Sequence, residues 1–156
     1  MKILLAVDGS PCSDAAINEV ASRPWPSNSE LRIVSAFQMP VSPTPESWAI
    51  QPEYYDAIER TAREQTQKVV DATFAKLKKA LGQSVSVTGQ VLTGSPQSAI
   101  LEEANRWKAD LIVVGSHGYG TWHRLLLGSV SQAVVSHAKC SVQVARHHPE
   151  NGSKAA

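Results

Sequence analysis

The residues of this chain that are best suited to chemistry lie in a glycine-rich segment, Gly115 to Gly118. Nine residues separate Gly118 from a further glycine, Gly128. Glycine tolerates positive φ angles and lets the backbone approach a ligand closely. A helix expected to begin at Ser129 would present unpaired amides and partial positive charge at its first turn. This pattern is typical of a phosphate site, although glycine-rich loops between strands and helices also serve only to turn the chain.

The elements on either side of this segment would place it at the end of a strand. An apolar run from Asp110 to Val114 predicts the strand, and the periodicity of residues 129–138 predicts the helix that follows. The remaining predicted strands are Ile3 to Val7, Leu31 to Phe37, Val85 to Leu92 and Ser141 to Ala145. The remaining predicted helices run from Pro11 to Ser22, from Tyr54 to Leu81 and from Pro96 to Trp107.

Short turn sequences support these boundaries. The segment Gly9 to Pro11 supplies a turn, an N-cap serine and a proline at the first helical position, and Gly94 to Pro96 repeats this chemistry. Gly82 is expected to end the longest helix. The segment from Gln38 to Pro52 contains four prolines and is expected to be a long loop.

Strict alternation of strands and helices predicts an α/β fold, with an open, doubly wound parallel sheet and helices on both faces. Such sheets bind ligands beyond the carboxyl ends of their strands, where the strand order reverses. Asp8 follows the first predicted strand, and Gly115 follows the fourth. If these two strands are neighbours, the carboxylate and the glycine-rich segment face one crevice.

Length and composition restrict the classes of protein. The 156 residues suffice for one domain, expected over residues 1–146, with a disordered polar tail over 147–156. Fifteen Lys and Arg against fourteen Asp and Glu give a net charge of +1, which does not favour nucleic-acid binding by bulk electrostatics. The apolar stretch from Met1 to Val7 is too short for a secretory leader or a membrane span, so we expect a cytoplasmic protein without membrane contact.

The two cysteines, Cys12 and Cys140, form neither a disulfide framework nor a zinc spacing, and a cytoplasmic chain would keep both reduced. Cys12 falls in the first turn of the first predicted helix, where a helix dipole can lower a thiol pKa. A small buried residue is the simpler interpretation of that position.

Three segments together resemble the universal stress protein family, small nucleotide-binding α/β proteins related to the adenine nucleotide hydrolase-like superfamily. They are Ile3 to Ser10, Ala109 to Gly118 and Leu127 to Val142. The glycine spacing reproduces the pattern G-x2-G-x9-G-[ST], which marks the ATP-binding branch of that family. With this resemblance, the fold prediction becomes a five-stranded parallel sheet in the order 3-2-1-4-5, with two helices on each face.

The resemblance implies that an adenine nucleotide, ATP, ADP or AMP, binds with Mg²⁺ at the carboxyl ends of the strands. Ala6 and Val7 would border the adenosine, and Ala36 would offer its backbone to the adenine edge. Asp8 would reach the ribose or a phosphate-bound metal ion. Backbone amides and two serine hydroxyls would suffice for the phosphates, and Mg²⁺ would neutralise the remaining charge. The residues implied in phosphate binding are Gly115, Ser116, His117, Gly118, Gly128, Ser129, Val130 and Ser131.

Two positions qualify the resemblance. Relatives often carry a basic residue just after the second motif glycine, where this chain has Tyr119, and His123 or Arg124 could substitute for it. Asp8 has a structural alternative, which is to cap the first helix, although Ser10 fits that role better.

Three functions remain open at this point. The favoured one is a nucleotide-dependent stress-response or signalling protein that changes partners or assembly when ATP fills the crevice. The second is a slow Mg²⁺-dependent ATPase, with Asp8 and His117 as candidates for activating water, since no Walker lysine or arginine finger is evident. The third is an ATP-independent chaperone or structural dimer. A homodimer is expected because the last strand, Ser141 to Ala145, would be a sheet edge and relatives commonly dimerise through it.

Overall fold

A parallel sheet runs through the computed structural model, which describes residues 1–39, 52–118 and 127–146, the side chains of 52–54 excepted. The strands of this described part are β1 (Lys2–Ala6), β2 (Ser29–Phe37), β3 (Val85–Thr93), β4 (Leu111–Gly115) and β5 (Ser141–Ala145). They alternate with the helices α1 (Pro11–Ser22), α2 (Pro52–Leu81), α3 (Pro96–Trp107) and α4 (Ser129–His137).

The strand order is β3-β2-β1-β4-β5, and each adjacent pair is parallel. The predicted fold class and strand order are therefore confirmed. The central strand is β1, where Leu5 pairs with Ile33 of β2 and with Val113 of β4. Because β1 and β4 are neighbours, Asp8 and Gly115 lie at the same edge of the sheet, as the alternation of elements predicts.

Successive residues of β1 point to opposite faces of the sheet. Leu5 belongs to a buried cluster with Ile17 of α1 and Leu77 of α2, whereas Leu4 belongs to a second cluster with Val134 of α4. The helix α3 contributes to this second cluster as well. Two helices therefore cover each face, as predicted, and the near-continuous apolar sequence of the central strands follows from burial on both sides.

The predicted boundaries differ from the observed ones by one or two residues. The strand β2 begins at Ser29 rather than Leu31, because its pairing with β3 reaches back to Val85. The helix α2 begins at Pro52 rather than Tyr54, since a proline in the first turn loses no intrahelical hydrogen bond. The strand β4 continues to Gly115, which pairs with the last residue of β5.

The predicted turn and cap positions are confirmed, although one of the two expected side-chain cap bonds is missing. Ser10 caps α1, because its Oγ accepts a hydrogen bond from the Ser13 amide at 3.2 Å. Gly82 ends α2 with a φ of 61°, and its amide donates to the Lys78 carbonyl at 3.1 Å. Ser95 is the N-cap residue of α3 and Pro96 follows it, as predicted, but the Ser95 hydroxyl makes no cap bond, and its ψ of 125° departs from the 162° of Ser10.

Two predictions fall on parts of the chain outside the described residues. The loop expected from Gln38 to Pro52 lies mainly over residues 40–51, and the expected polar tail lies over residues 147–156. Among the described residues, none of the helices combines the length and the apolar character that a bilayer span requires.

Candidate functional site

A cavity of about 320 Å³ opens at the carboxyl ends of β1, β2 and β4, beside the N-termini of α3 and α4. Every site residue implied by the sequence lines this cavity, with the exception of Ser116. Additional lining residues are Ser13, Val34, Pro96, Ile100 and Val114. The fold therefore brings five separate segments of the chain to one place.

The cavity has an apolar side and a polar side. The apolar side is supplied by β1, β2, β4 and α3, and the polar side by the segments that follow β1 and β4. The apolar lining residues are Ala6, Val34, Ala36, Ile100 and Val114. The polar side carries the Asp8 carboxylate, the Ser13 and Ser129 hydroxyls, and the backbone of Gly118 and Gly128. This division suits a ligand with a flat apolar part and an anionic part.

At the three motif glycines, the absence of a side chain allows other segments of the chain to pack closely, and a positive φ is not used there. Positive φ among the described glycines occurs at other positions, and Gly128 has an ordinary φ of −64°. A Cβ on Gly115 would stand 2.7 Å from the backbone carbon of Cys12. A Cβ on Gly118 would stand 2.7 Å from Oδ2 of Asp8, and one on Gly128 would stand 3.3 Å from Cα of His117.

Ser116 is buried behind the cavity and joins three elements through its backbone. Its amide donates to the Ala145 carbonyl at 2.7 Å, so it fixes the end of β4 to the end of β5. Its carbonyl accepts hydrogen bonds from the Gly128 amide at 2.8 Å and from the Ser131 hydroxyl at 2.8 Å. These contacts set the position at which α4 begins.

Ser131 lines the cavity, but its hydroxyl proton is already engaged. It donates to the Ser116 carbonyl and lies 2.9 Å from the Gly128 carbonyl. A hydroxyl has a single proton, so Ser131 keeps only lone pairs for any further contact. Of the two hydroxyls expected to donate to phosphate, Ser129 is therefore the better placed.

The first turn of α4 presents backbone amides to the polar side of the cavity. Its first intrahelical hydrogen bond runs from the Gln132 amide to the Gly128 carbonyl at 2.9 Å, so the amides of Ser129, Val130 and Ser131 precede it. Within the described part of the chain, no side chain caps this turn. Such a helix end attracts an anion through its amides and its partial positive charge.

Asp8 follows β1 and is exposed at the mouth of the cavity. Its Oδ1 accepts a hydrogen bond from the Ser10 amide at 2.9 Å, and its own amide donates to the Ser13 hydroxyl at 3.2 Å. Asp8 therefore holds the turn before α1, while Ser10 caps the helix. Among residues 1–39, 52–118 and 127–146, no group of three or more His, Cys, Asp or Glu side chains could hold a metal ion. Any cation at Asp8 would need further oxygen ligands from the bound molecule.

His117 lines the cavity beside the glycine-rich segment. Its carbonyl accepts a hydrogen bond from the Ser10 hydroxyl at 3.3 Å, which ties the segment to the start of α1. Its Nδ1 lies 3.2 Å from the Ser116 hydroxyl. The positions considered for a compensating basic charge, Tyr119, His123 and Arg124, lie outside the described residues.

The lining residues missed from the sequence come mainly from β2, α3 and β4. Val34 and Val114 have no polar or reactive side-chain group and were predicted only as strand residues. Ile100 was predicted only as part of a helix. The pairing of Ala6 with Val34 places the end of β2 beside the end of β1. Given the confirmed strand order, proximity to the carboxyl ends of the central strands is the signal that could have identified Val34 and Val114.

The universal stress protein family model matches residues 1–146. The chain belongs to the universal stress protein family. A universal stress protein of Thermus aquaticus is 31% identical over 150 residues, with 92% of this chain and 97% of that protein covered. Universal stress protein Rv1996 of Mycobacterium tuberculosis is 31% identical over 156 residues, with 94% of this chain and 48% of that protein covered. The chain thus spans about half the length of this mycobacterial relative.

Solved structures share the fold of this universal stress protein. The protein MJ0577 superimposes with a TM-score of 0.79 at 21% identity, with 96% of this chain and 97% of that one covered. A family member from Arabidopsis thaliana with AMP bound gives 0.69 at 18% identity, with 99% and 97% covered. A universal stress protein in complex with cAMP gives 0.60 at 21% identity, with 95% and 98% covered.

Proposed function

We propose that the cavity at the carboxyl ends of the strands binds an adenine nucleotide, with ATP and Mg²⁺ as its ligand. The observation that carries the proposal is the joining of an apolar wall to the uncapped first turn of α4 within one cavity. The adenine nucleotides in the Arabidopsis thaliana structure and in the cAMP complex support the same class of ligand. We infer a nucleotide-dependent role in stress response or signalling, in the cytoplasm, where the unpaired thiols of Cys12 and Cys140 stay reduced.

The apolar wall fits the adenosine part of such a ligand. Ala6 at the end of β1 pairs with Val34 of β2, and both are buried in the cluster that lies against α3 and α4. Ile100 of α3 lies in the same cluster and lines the cavity from the other side. An adenine ring placed between them would bury its faces, while the backbone of Ala36 would meet its polar edge. Val7 and Asp8 would then adjoin the ribose.

The polar side fits the phosphates. At Gly118 and Gly128 no side chain crowds the Asp8 carboxylate or the His117 backbone, which lie where a Cβ would stand. Both glycines line the cavity, and the Gly118 amide would meet phosphate oxygens. The Ser129 hydroxyl and the first amides of α4 add donors, and a charged acceptor strengthens each of these bonds. Ser116 and Ser131 hold this arrangement from behind through the contacts described above.

Asp8 would be the protein's contribution to metal binding. It is exposed at the cavity mouth, and one of its carboxylate oxygens is free of the bond that Oδ1 makes to the Ser10 amide. Mg²⁺ prefers oxygen ligands and retains water, so one carboxylate and two phosphate oxygens fit its requirements. When bound, the ion would neutralise phosphate charge.

Mass spectrometry of small molecules released from the purified protein tests the ligand class directly. We expect an adenine nucleotide at a substantial fraction of the protein concentration. Ser129→Ala should lower that fraction, and Ser136→Ala, an exposed serine at the far end of α4, is the matched control that should not. Release of a ligand without adenine, or equal loading of both variants, would contradict the assignment.

We further propose that two copies of the chain pair through β5, which is a sheet edge. The Ala145 carbonyl accepts a hydrogen bond from the Ser116 amide, so the backbone groups of Ala145 face β4. Backbone groups alternate along a strand, and those of Val142 and Val144 therefore face away from β4. An outward edge of this kind can pair with another copy.

The outward and inward residues of β5 provide a matched pair of variants. Val142→Pro removes an outward amide, whereas Gln143→Pro removes one that faces β4. By light scattering, we expect a dimer for the wild-type protein and a monomer that remains folded for Val142→Pro. A monomeric wild-type protein, or a Val142→Pro protein that stays dimeric, would contradict pairing through β5.

A further inference from the structure

The side chain of Ser10 connects the start of α1 to the glycine-rich segment after β4. It is 1% exposed, so water has little access to its hydroxyl. The hydroxyl oxygen accepts a hydrogen bond from the Ser13 amide at 3.2 Å, which caps α1. Its single proton is donated to the His117 carbonyl at 3.3 Å. One buried hydroxyl therefore serves a helix cap and a contact between distant segments at the same time.

The contact with His117 sets the direction of one peptide group. In a trans peptide, the carbonyl and the amide of the same unit point to opposite sides. The described part of the chain contains no cis peptide bond. Because Ser10 holds the His117 carbonyl toward the start of α1, the amide of Gly118 in the same peptide points away from α1.

The direction away from α1 leads toward the cavity. The helix α1 packs on one face of the sheet, where Ile17 joins the buried cluster. The cavity is lined from the other face by α3 and α4, through Ile100 and residues 129–131. Gly118 itself lines the cavity, and within the described part of the chain its amide has no acceptor. This amide is therefore available to an anion in the cavity.

We propose that Ser10 is a positioning residue for the phosphate side of the cavity. The proposal rests on the proposed function, and it extends that function to a side chain that does not line the cavity. Without the Ser10 hydroxyl, the His117 carbonyl loses its partner and the peptide that joins it to Gly118 is free to rotate. Rotation turns the Gly118 amide away from phosphate and leaves the apolar wall unchanged.

The carboxylate of Asp8 keeps its position when the Ser10 side chain is shortened. Its Oδ1 accepts a hydrogen bond from the backbone amide of Ser10, and a substitution by alanine or glycine retains that amide. The loss should therefore be confined to the phosphate contact, and the groups that adjoin the ribose should be unaffected.

Loss of the α1 cap is the competing explanation, and two substitutions separate it from positioning. Ser10→Ala removes the hydroxyl and leaves the helix with a poor cap, whereas Ser10→Gly removes the hydroxyl but caps a helix nearly as well as serine. Ser29→Ala is the matched control. Ser29 is also 1% exposed, and its hydroxyl also donates to a backbone carbonyl, that of Pro26. It begins β2, at the end of that strand opposite to the cavity.

The first experiment measures the affinities of these proteins for ATP with Mg²⁺ and for adenosine by titration calorimetry, with denaturation curves to establish that each variant is folded. Adenosine has the apolar part of the ligand and no phosphate. For Ser10→Ala and Ser10→Gly, we expect an ATP affinity about tenfold lower, as for the loss of one hydrogen bond to a charged group. Their affinity for adenosine should be unchanged, and Ser29→Ala should match the wild type for both ligands.

Three results of this experiment would overturn the positioning role. They are an unchanged ATP affinity in the Ser10 variants, equal losses for ATP and adenosine, and a loss in Ser10→Ala that Ser10→Gly restores. The last two results would assign Ser10 to the stability of α1 alone.

The second experiment needs no nucleotide. Backbone NMR relaxation of the ligand-free protein measures the order parameter of the Gly118 amide. We expect a lower value in Ser10→Ala and Ser10→Gly than in the wild-type and Ser29→Ala proteins, and equal values in all four would overturn the role of Ser10. If the wild-type protein binds neither ATP nor adenosine, the proposed function fails, and this measurement still decides whether the Ser10 hydroxyl orients the peptide.

Discussion

The carboxylate of Asp8 lies directly against the backbone of Gly118. A Cβ placed on this glycine would stand 2.7 Å from Oδ2 of Asp8, well inside the distance that two such atoms tolerate. The contact joins the end of β1 to the segment after β4, across the mouth of the cavity. It makes the position of an acidic side chain depend on the absence of a side chain at residue 118.

This contact predicts that Gly118→Ala weakens nucleotide binding through Asp8. The added methyl group meets the end of a flexible side chain, so the protein should fold with little loss of stability while the carboxylate is displaced. We expect an affinity for ATP with Mg²⁺ about tenfold lower, or about 1.4 kcal/mol. In an Asp8→Ala background the same substitution should cost less, because the clash is gone. Calorimetry on the four proteins of this double-mutant cycle measures the difference, and equal costs in both backgrounds would contradict the mechanism.

Gly115→Ala should act on folding instead. Its Cβ would meet the backbone of Cys12 and the Ser13 amide nitrogen, at 2.7 Å and 2.9 Å, and a backbone cannot rotate aside. We expect the free energy of unfolding to fall by about 1–3 kcal/mol, as for other overpacked sites. Urea denaturation of Gly115→Ala and Gly118→Ala tests whether the first variant loses more stability than the second. Equal stability of the two variants would contradict the prediction, because it would mean that α1 moves away from residue 115 without cost.

The two serines at the start of α4 should separate stability from binding. Ser131→Ala loses a buried hydrogen bond to the Ser116 carbonyl, so its free energy of unfolding should fall by about 1 kcal/mol. Ser129→Ala should leave stability unchanged and weaken ATP binding by about 1.5–3 kcal/mol, the value of a hydrogen bond to a charged group. Denaturation gives the free energy of unfolding of each variant, and calorimetry gives its affinity for ATP. A stability loss in Ser129→Ala without a loss of affinity would reverse the two roles.

The Cys140 thiol makes the free energy of unfolding depend on pH in the alkaline range. Its pKa lies above the usual value of 9.0 in the folded protein, because of burial and then Asp110. The folded state therefore holds this proton more tightly than the unfolded chain, so the contribution is complete below pH 9.0 and is lost as pH rises through the folded pKa. Above that pH, the free energy of unfolding of the wild-type protein should fall relative to that of Cys140→Ser. A difference that stays constant across the range would contradict the raised pKa.

Much of the fold could be predicted from the sequence because each element carries its own local signal. The segment Gly9 to Pro11 fixes the start of α1, and apolar strands such as Leu111–Gly115 indicate burial on both faces. The spacing of Gly115, Gly118 and Gly128 likewise identified the segments that line the cavity.

The details that could not be predicted depend on contacts between distant segments. Gly115 is a glycine because Cys12 of another element packs against it, and neither its φ nor its neighbour can be inferred from spacing. Ser131 and Ser116 both read as phosphate ligands in the sequence, yet the hydroxyl of one bonds the carbonyl of the other. Such a hydrogen bond between residues fifteen positions apart is a property of the folded chain.

The most direct measurement of the central claim is titration calorimetry of ATP with Mg²⁺ into the wild-type, Gly118→Val and Gly128→Val proteins. Valine would collide with the Asp8 carboxylate at position 118 and with the His117 backbone at position 128. Either collision would disturb the segments proposed to hold phosphate. We predict one ATP per chain for the wild-type protein and no detectable binding for the two variants, with all three folded. Absence of binding to the wild-type protein, or wild-type affinity in both variants, would contradict the assignment of the cavity as a nucleotide site.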